Sequence, residues 1–334
     1  MEFFDNHKKL FVLASLLFLI LTLVIAILPA IDNQMNNKPL PGVEELSAEA
    51  TRGKHLFIAN GCVACHTQQV RNIEMDRPWG SRPSIASDYA INKRMDVWRN
   101  TATLMGTERT GPDLADVGNR QPSSDWHLVH LYNPRIVVKE SIMPAYTWLF
   151  ETKENPLPED VVINVPDSYL KGRTGKVVAT QDALDLVAYL QALKLHPLPE
   201  STPAPDFLYK LEKAMKDLDG KQQSSEVDGE ALYVAHCQAC HQSNGEGLPG
   251  AFPPLKGSKI VEGDDLQLYV DIIMNGYDAR PEYGAMAPIG SVMNWTEKEV
   301  TAIINYERRS LGNNASQVTE EEVKKIMDYI KINQ

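Results

Sequence analysis

Cysteine is scarce in this chain: four residues in 334. All four fall in one spacing written twice, so none is left for a disulfide framework and none is free. Basic charge is in deficit as well, with Lys plus Arg at 33 against 44 Asp plus Glu and a formal net charge of -11. No basic stripe or block occurs, which excludes a nucleic-acid-binding surface. The acidic excess reads first as a solvated surface and second as a field that steers a basic partner. A chain of this length has room for two or three domains.

What is present is the pair of motifs Cys62-Val63-Ala64-Cys65-His66 and Cys237-Gln238-Ala239-Cys240-His241. C-x-x-C-H is the attachment signature of c-type haem. Two thiols add across the two vinyl groups of one porphyrin, and the histidine that follows turns its imidazole to the iron. Zinc would need two further ligands beside each pair. A thioredoxin-like pair would want a strand before it and a helix after it, and no histidine. The expectation is therefore two covalently bound haem c, on Cys62/Cys65 and Cys237/Cys240. His66 and His241 are the expected proximal iron ligands.

Leu10 to Leu28 is a run of nineteen residues without a charge. At about 1.5 Å per residue it just crosses a hydrocarbon core of about 30 Å. A cleaved leader would have a shorter apolar region and a small-x-small site, which Leu28-Pro29-Ala30 does not offer. The run reads as a retained single-pass anchor that Pro29 ends or bends. Lys8 and Lys9 precede it, and Asp32, Glu44 and Glu45 follow. The positive-inside rule places the N-terminus in the cytoplasm and the rest on the periplasmic side of a bacterial plasma (inner) membrane.

The expected fold is mainly α: one transmembrane helix plus two class I cytochrome c-like haem domains. Boundaries fall at 1–31 for the cytoplasmic tip and anchor, 32–46 for a tether without period, and 47–196 for the first cytochrome domain. A Pro-rich, charged linker (197–226), including a short charged helix around 206–218, leads to the second domain at 227–334. Helices are expected over 47–60, capped by Ser47, and over 182–195, which closes the first domain. In the second domain they are expected over 229–235, 264–274, 296–311 and 318–333. Thr296 and Glu299 form a capping box for the third of these.

The sixth ligands are sought in loops before the closing helices, where class I cytochromes place a methionine. Thioether favours ferrous iron and raises the potential. Met143 in Ser141-Ile142-Met143-Pro144-Ala145-Tyr146 is the candidate in the first domain. Met286 in Gly284-Ala285-Met286-Ala287-Pro288 is the candidate in the second, with Met293 as its competitor. His127 and His130 are read as surface or propionate-side histidines, and the remaining methionines as core filling.

The runs Gly61–Arg71, Arg109–Leu114, Asp125–Arg135 and Glu140–Trp148 resemble, in order, subunit II of cbb-type (C-family) haem–copper cytochrome c oxidases. That family is a mono-haem, membrane-anchored cytochrome c, and its axial methionine matches Met143. The resemblance covers about residues 1–150. The chain departs from the family by carrying a second cytochrome domain. There Gly245–Gly250 and Phe252–Leu255 resemble the haem loops of small class I cytochromes, and Asn305–Asn313 resembles the end of cytochrome domains fused to oxidase subunits.

The resemblance implies an electron-transfer subunit of a respiratory oxidase with no catalytic centre of its own; the anchor holds no histidine for a buried copper–haem site. The implied partners are a haem–copper catalytic subunit, other oxidase subunits, and a donor that is a soluble or membrane cytochrome c or a quinol-oxidising complex. Electrons would run from the second haem to the first. The rival readings are the cytochrome subunit of a nitric oxide reductase and a free-standing anchored shuttle. A dihaem peroxidase is disfavoured by two good methionine candidates.

Overall fold

A computed structural model describes residues 5–332 apart from 37, 93–103, 107, 171, 173, 200, 201, 204, 206, 208–226, 250, 281, 282 and 294. The charged helix expected around 206–218 lies outside the described residues. The chain divides into two compact units: one of Met1–Leu46, Ser84–Met105 and His196–Ala204, the other of Ser47–Pro83, Gly106–Leu195 and Pro205–Gln334. Both C-x-x-C-H motifs lie in the second unit, which is mainly α.

In the first unit, His7–Asn33 is long and apolar enough to cross a membrane, and none of the residues in its apolar stretch is buried within the protein. Asn6 caps its start, its side-chain oxygen accepting from the Lys9 amide at 3.1 Å. Pro29 does not end it. Helix resumes over Leu28–Asn36, five residues into the expected tether, after a π turn at Thr22–Ile27. Proline lacks an N–H and crowds the preceding turn; widening that turn, with the Leu28 amide reaching back to the Leu23 carbonyl, accommodates it.

In the second unit, each motif follows a leading helix that crosses a closing helix. Ala48–Ala59, capped by Ser47, crosses Gln181–Ala192. The crossing is close because Gly53 has no side chain: a Cβ there would stand 1.9 Å from the Asp185 carbonyl oxygen. One turn on, Phe57 and Tyr189 meet edge to face at 5.6 Å. Gly229–Leu232 crosses Glu297–Arg309 in the same way, with Gly229 against the Ala302 carbonyl and Tyr233 against Tyr306 at 5.3 Å. The expected Thr296–Glu299 capping box is present. Leu266–Asn275 and Glu320–Ile332 complete the second domain around a core of Tyr233, Val270, Val300, Ile304 and Val323.

The first domain also holds a small sheet that the helical reading did not include. Strands β1 (Phe150–Lys153), β2 (Val162–Ile163) and β3 (Lys176–Ala179) pair antiparallel in the order β1-β3-β2. Thr180, the cap of the closing helix, donates its hydroxyl to the Leu149 carbonyl at 2.8 Å. The sheet thus fastens the end of the Met143 loop to the start of the closing helix.

Candidate haem-binding sites

Gly61, at φ +72°, turns the chain out of the leading helix into Cys62–Ala64, and the His66 amide returns to the Cys62 carbonyl at 3.0 Å. His66 Nδ1 lies 2.8 Å from the Pro112 carbonyl oxygen, 46 residues downstream. A proton on Nδ1 makes that bond and leaves Nε2 with the lone pair a metal ligand needs. Burial pulls the imidazole pKa down, ahead of the opposing pull of the Pro112 carbonyl. Gly111 is obligatory beside the ring: a Cβ would stand 2.4 Å from His66 Cε1.

An ionic network holds the Pro112 loop. Asp113 accepts from the Gln69 amide at 2.7 Å and from the Thr67 hydroxyl. Arg109 donates to Thr67 Oγ1 at 2.8 Å, pairs with the fully buried Asp76, and covers the Trp79 ring. Met143 is half-buried, and Arg135 donates to the Ser141 and Met143 carbonyls, both at 2.9 Å. Three residues on, the Tyr146 hydroxyl lies beside the Cys62 thiol and lowers its pKa, against the larger effect of burial. Trp148 donates its indole N–H to Asn60 Oδ1 at 3.0 Å. The structure therefore brings the Met143 loop to the start of the first motif.

The second motif opens on a cavity lined by Cys237, Cys240, His241, Met286 and apolar side chains including Ile273, Trp295 and Ile303. His241 Nδ1 lies 2.9 Å from the Pro253 carbonyl oxygen, only 12 residues downstream. Gly247, at φ +63°, passes so close to the Phe252 carbonyl that a Cβ would stand 2.5 Å from it. Met286 is held by two backbone bonds with Tyr277, at 2.8 and 3.0 Å. Its competitor Met293 packs against the hydrophobic core and is not among the cavity's lining residues. Glu307, which the motif reading did not single out, is buried in the cavity wall beside Cys237 and accepts from the Tyr269 hydroxyl. Its carboxyl is pushed up to about 7, by burial above all.

The donor set fits covalent haem in both places: paired thiols, an imidazole whose Nδ1 is already committed, and a methionine in an anchored loop. Among the described residues no group of three or more His, Cys, Asp or Glu side chains gathers as a separate metal centre.

His127 and His130 are not surface residues. Both lie on Ser124–Tyr132; His127 is 3% exposed with Nε2 at 2.7 Å from the Gln121 carbonyl oxygen, and His130 Nδ1 is buried without a partner. Burial lowers their pKa values to about 4 and about 3. The second cytochrome domain packs on the start of the same helix. Trp126 donates its indole N–H to the Ala239 carbonyl at 3.0 Å, inside the second motif. Gln121 and Ser123 line the second motif's cavity.

Residues 1–165 match the family described as cytochrome c oxidase, mono-heme subunit/FixO. Residues 225–306 match cytochrome c oxidase, cbb3-type, subunit III. Over 304 residues, 87% of this chain, it is 26% identical to the cytochrome c subunit of alcohol dehydrogenase (quinone) from Gluconacetobacter polyoxogenes, and spans 54% of that relative. Over 113 residues, 30% of this chain, it is 33% identical to cytochrome c-552 of Thermus thermophilus, covering 85% of it. The cytochrome subunit of fructose dehydrogenase from Gluconobacter japonicus is 29% identical over 106 residues, 30% of this chain and 22% of the relative.

Proposed function

We propose, for a chain that belongs over its N-terminal half to the mono-haem subunit (FixO) family of cytochrome c oxidase and carries a cbb3-type cytochrome c domain behind it, that it is the dihaem electron-transfer subunit of a cbb-type terminal oxidase. Haem c bound at each motif supplies one-electron chemistry, its iron cycling between ferric and ferrous. Cys62/Cys65 and Cys237/Cys240 hold the two groups. His66 and Met143 would hold the iron at the first site, and His241 and Met286 at the second, where a thioether would favour the reduced state. Electrons enter through the second domain from an extracytoplasmic donor. They leave through the first, the domain joined directly to the anchor, for a haem–copper catalytic subunit that reduces oxygen. The N-terminus lies in the cytoplasm and both cytochrome domains on the periplasmic side.

The observation that carries this reading is the FixO match together with the His66–Pro112 and His241–Pro253 pairs, each of which leaves one imidazole nitrogen for iron. The test is purification from membranes in mild detergent. A co-migrating haem–copper protein with oxygen uptake supports the reading. Turnover of nitric oxide alone, or a chain that runs by itself, sinks it.

A second reading is favoured by the similarity that spans both domains to the cytochrome subunit of a quinone-linked alcohol dehydrogenase. In it the chain takes electrons from a dehydrogenase partner and passes them into the membrane. Co-migration with a dehydrogenase in the same purification selects it.

A further inference from the structure

We propose that Trp126 and His130 are the bridge by which electrons cross from the second cytochrome domain to the first. The inference rests on the two-haem reading above. It starts from the residues that join the two motifs. Ser123 caps Ser124–Tyr132, its hydroxyl oxygen accepting from the Trp126 amide at 3.3 Å, and so sets Trp126 in the first turn. The Trp126 indole N–H donates to the carbonyl of Ala239 at 3.0 Å. Ala239 is the residue before Cys240, one of the two attachment points of the second group. One helical turn beyond Trp126, the His130 ring stacks on the indole with centroids 4.5 Å apart and planes 11° apart. His130 lies on the helix whose next residue, Leu131, accepts at its carbonyl from the Tyr146 amide at 2.9 Å, in the Met143 loop of the first site. The contacts therefore run from Cys240 through the Ala239 carbonyl and Trp126 to His130, on the helix that carries the Met143 loop of the first site.

The contacts around this line are packed rather than fleeting. Gln121 Nε2 lies 3.9 Å from Cys240 Sγ. Gln242 donates its side-chain amide to the Val137 carbonyl at 3.3 Å. Gln242 also holds φ +65°, a conformation costly for a residue with a side chain and therefore held by its surroundings. A Cβ on Gly284 would stand 2.5 Å from Asp125 Oδ2. A fixed seam of this kind replaces diffusional encounter by one prepaid geometry.

The step is a single electron transfer. Ferrous iron held at Cys237/Cys240 becomes ferric, and ferric iron held at Cys62/Cys65 becomes ferrous. No bond forms or breaks, and no proton moves. Tunnelling decays far faster across empty space than through bonded or closely packed atoms. One hydrogen bond and one stacked pair thus carry most of the crossing. Trp126 and His130 act by position, without being oxidised themselves.

The test uses the full chain in detergent with both sites loaded. One electron is injected by pulsed reduction, and its redistribution between the two haems is followed optically. Haem content, both midpoint potentials and the exciton couplet in the Soret circular dichroism are recorded for every variant. Trp126→Leu and His130→Leu are expected to lose the fast inter-haem phase with unchanged potentials and an unchanged couplet. Trp126→Phe, which keeps a ring and removes the donor, is expected to slow it less. Tyr329→Leu, on Glu320–Ile332, is expected to leave it intact. A fast phase retained in Trp126→Leu overturns the proposal. If Trp126→Leu loses the couplet, the domains have parted, and Trp126→Phe with His130→Leu decide: retention of the fast phase in both overturns it. One haem per chain by pyridine haemochrome removes the two-haem reading itself, a failure distinct from that of the bridge.

Discussion

The two cytochrome domains share one scaffold and differ in how they close it. In both, a leading helix crosses a closing helix at a glycine, and an aromatic ring four residues on meets a tyrosine: Gly53, Phe57 and Tyr189 in the first, Gly229, Tyr233 and Tyr306 in the second. In both, a histidine gives Nδ1 to a proline carbonyl. In the second domain that proline is 12 residues away and backbone turns suffice; in the first it is 46 away, and Arg109, Asp76 and Asp113 hold the longer excursion. The second domain passes from its methionine to its closing helix through the short helix Ile289–Val292; the first interposes a three-stranded sheet. The shared part is what a porphyrin needs. The additions in the first domain are what distinguish it from a small cytochrome.

The largest expected effect tests whether the two methionines are equivalent. Met143→Ala and Met286→Ala are each expected to remove the methionine–iron charge-transfer band from one haem and to lower that haem's potential alone. Met293→Ala is expected to leave both bands in place, because Met293 packs in the core. A spectrum unchanged by Met286→Ala but altered by Met293→Ala would reverse the assignment in the second domain only.

The helix crossing comes next. A methyl group at position 53 would press on the Asp185 carbonyl at 1.9 Å, and at position 229 on the Ala302 carbonyl at 2.2 Å. Neither obstacle is a flexible side chain. Gly53→Ala and Gly229→Ala are each expected to destabilise their domain by about 1–3 kcal/mol or more, position 53 the more severely. Denaturant unfolding followed at each haem measures this. A Gly53→Ala chain with unchanged stability would show that the crossings are not alike.

Much of this scaffold could be read from sequence because its signals are local. Ser47, Thr180 and the Thr296–Glu299 box sit at helix starts, and the haem motif brings its own chemistry. What escaped depends on partners distant in the chain. The strands are only 4, 2 and 4 residues long, too short for a period, and Val177 and Val178 are both buried, so no alternation shows. His127 and His130 sit on a short helix with polar neighbours, and what covers them, the Gln121 carbonyl for His127 and the Trp126 ring for His130, is a matter of folded packing. Glu307 reads as one more charge on a helix whose other residues include half-buried Glu297 and Glu299 and exposed Lys298. Pro112 and Pro253 act through their carbonyls, which no side-chain pattern announces.

Two buried carboxylates, Glu307 in the second domain and Asp76 in the first, shift in opposite directions. Burial raises the Glu307 pKa to about 7, beyond what hydrogen bonds from Tyr269 and Cys237 offset, from an ordinary value of 4.5. Between those values the folded chain keeps a proton that the unfolded chain releases. Its contribution to stability is full below about 4.5 and is lost as pH rises toward 7. Burial also works to raise Asp76, but hydrogen bonds from Arg71 and Arg109 outweigh it, and its pKa falls below 3.8. That contribution is present above the ordinary value and is lost as pH falls. Glu307→Gln is therefore expected to remove the loss of second-domain stability that this carboxyl adds as pH rises from 4.5 to about 7, and to leave the first domain unchanged. A slope that persists in Glu307→Gln would assign it to another group.

The smallest expected effect concerns the caps of the two closing helices. Thr296 lies at the surface; its side chain bonds Glu299, whose carboxylate also accepts from the Thr296 amide at 2.7 Å. Thr296→Ala removes one cap and is expected to cost about 1 kcal/mol. Thr180 caps Gln181–Ala192 and also donates its hydroxyl to the Leu149 carbonyl, where the sheet begins. Its loss leaves that carbonyl with the Thr180 amide alone. Thr180→Ala is expected to cost about 1 kcal/mol more than Thr296→Ala, the worth of a typical net hydrogen bond. Thr180→Ser, which keeps the oxygen, should recover most of the difference. Equal costs at the two caps in denaturant unfolding would mean that the sheet is not tied to the closing helix through this hydroxyl. The first domain would then close on its helix crossing alone, as the second does.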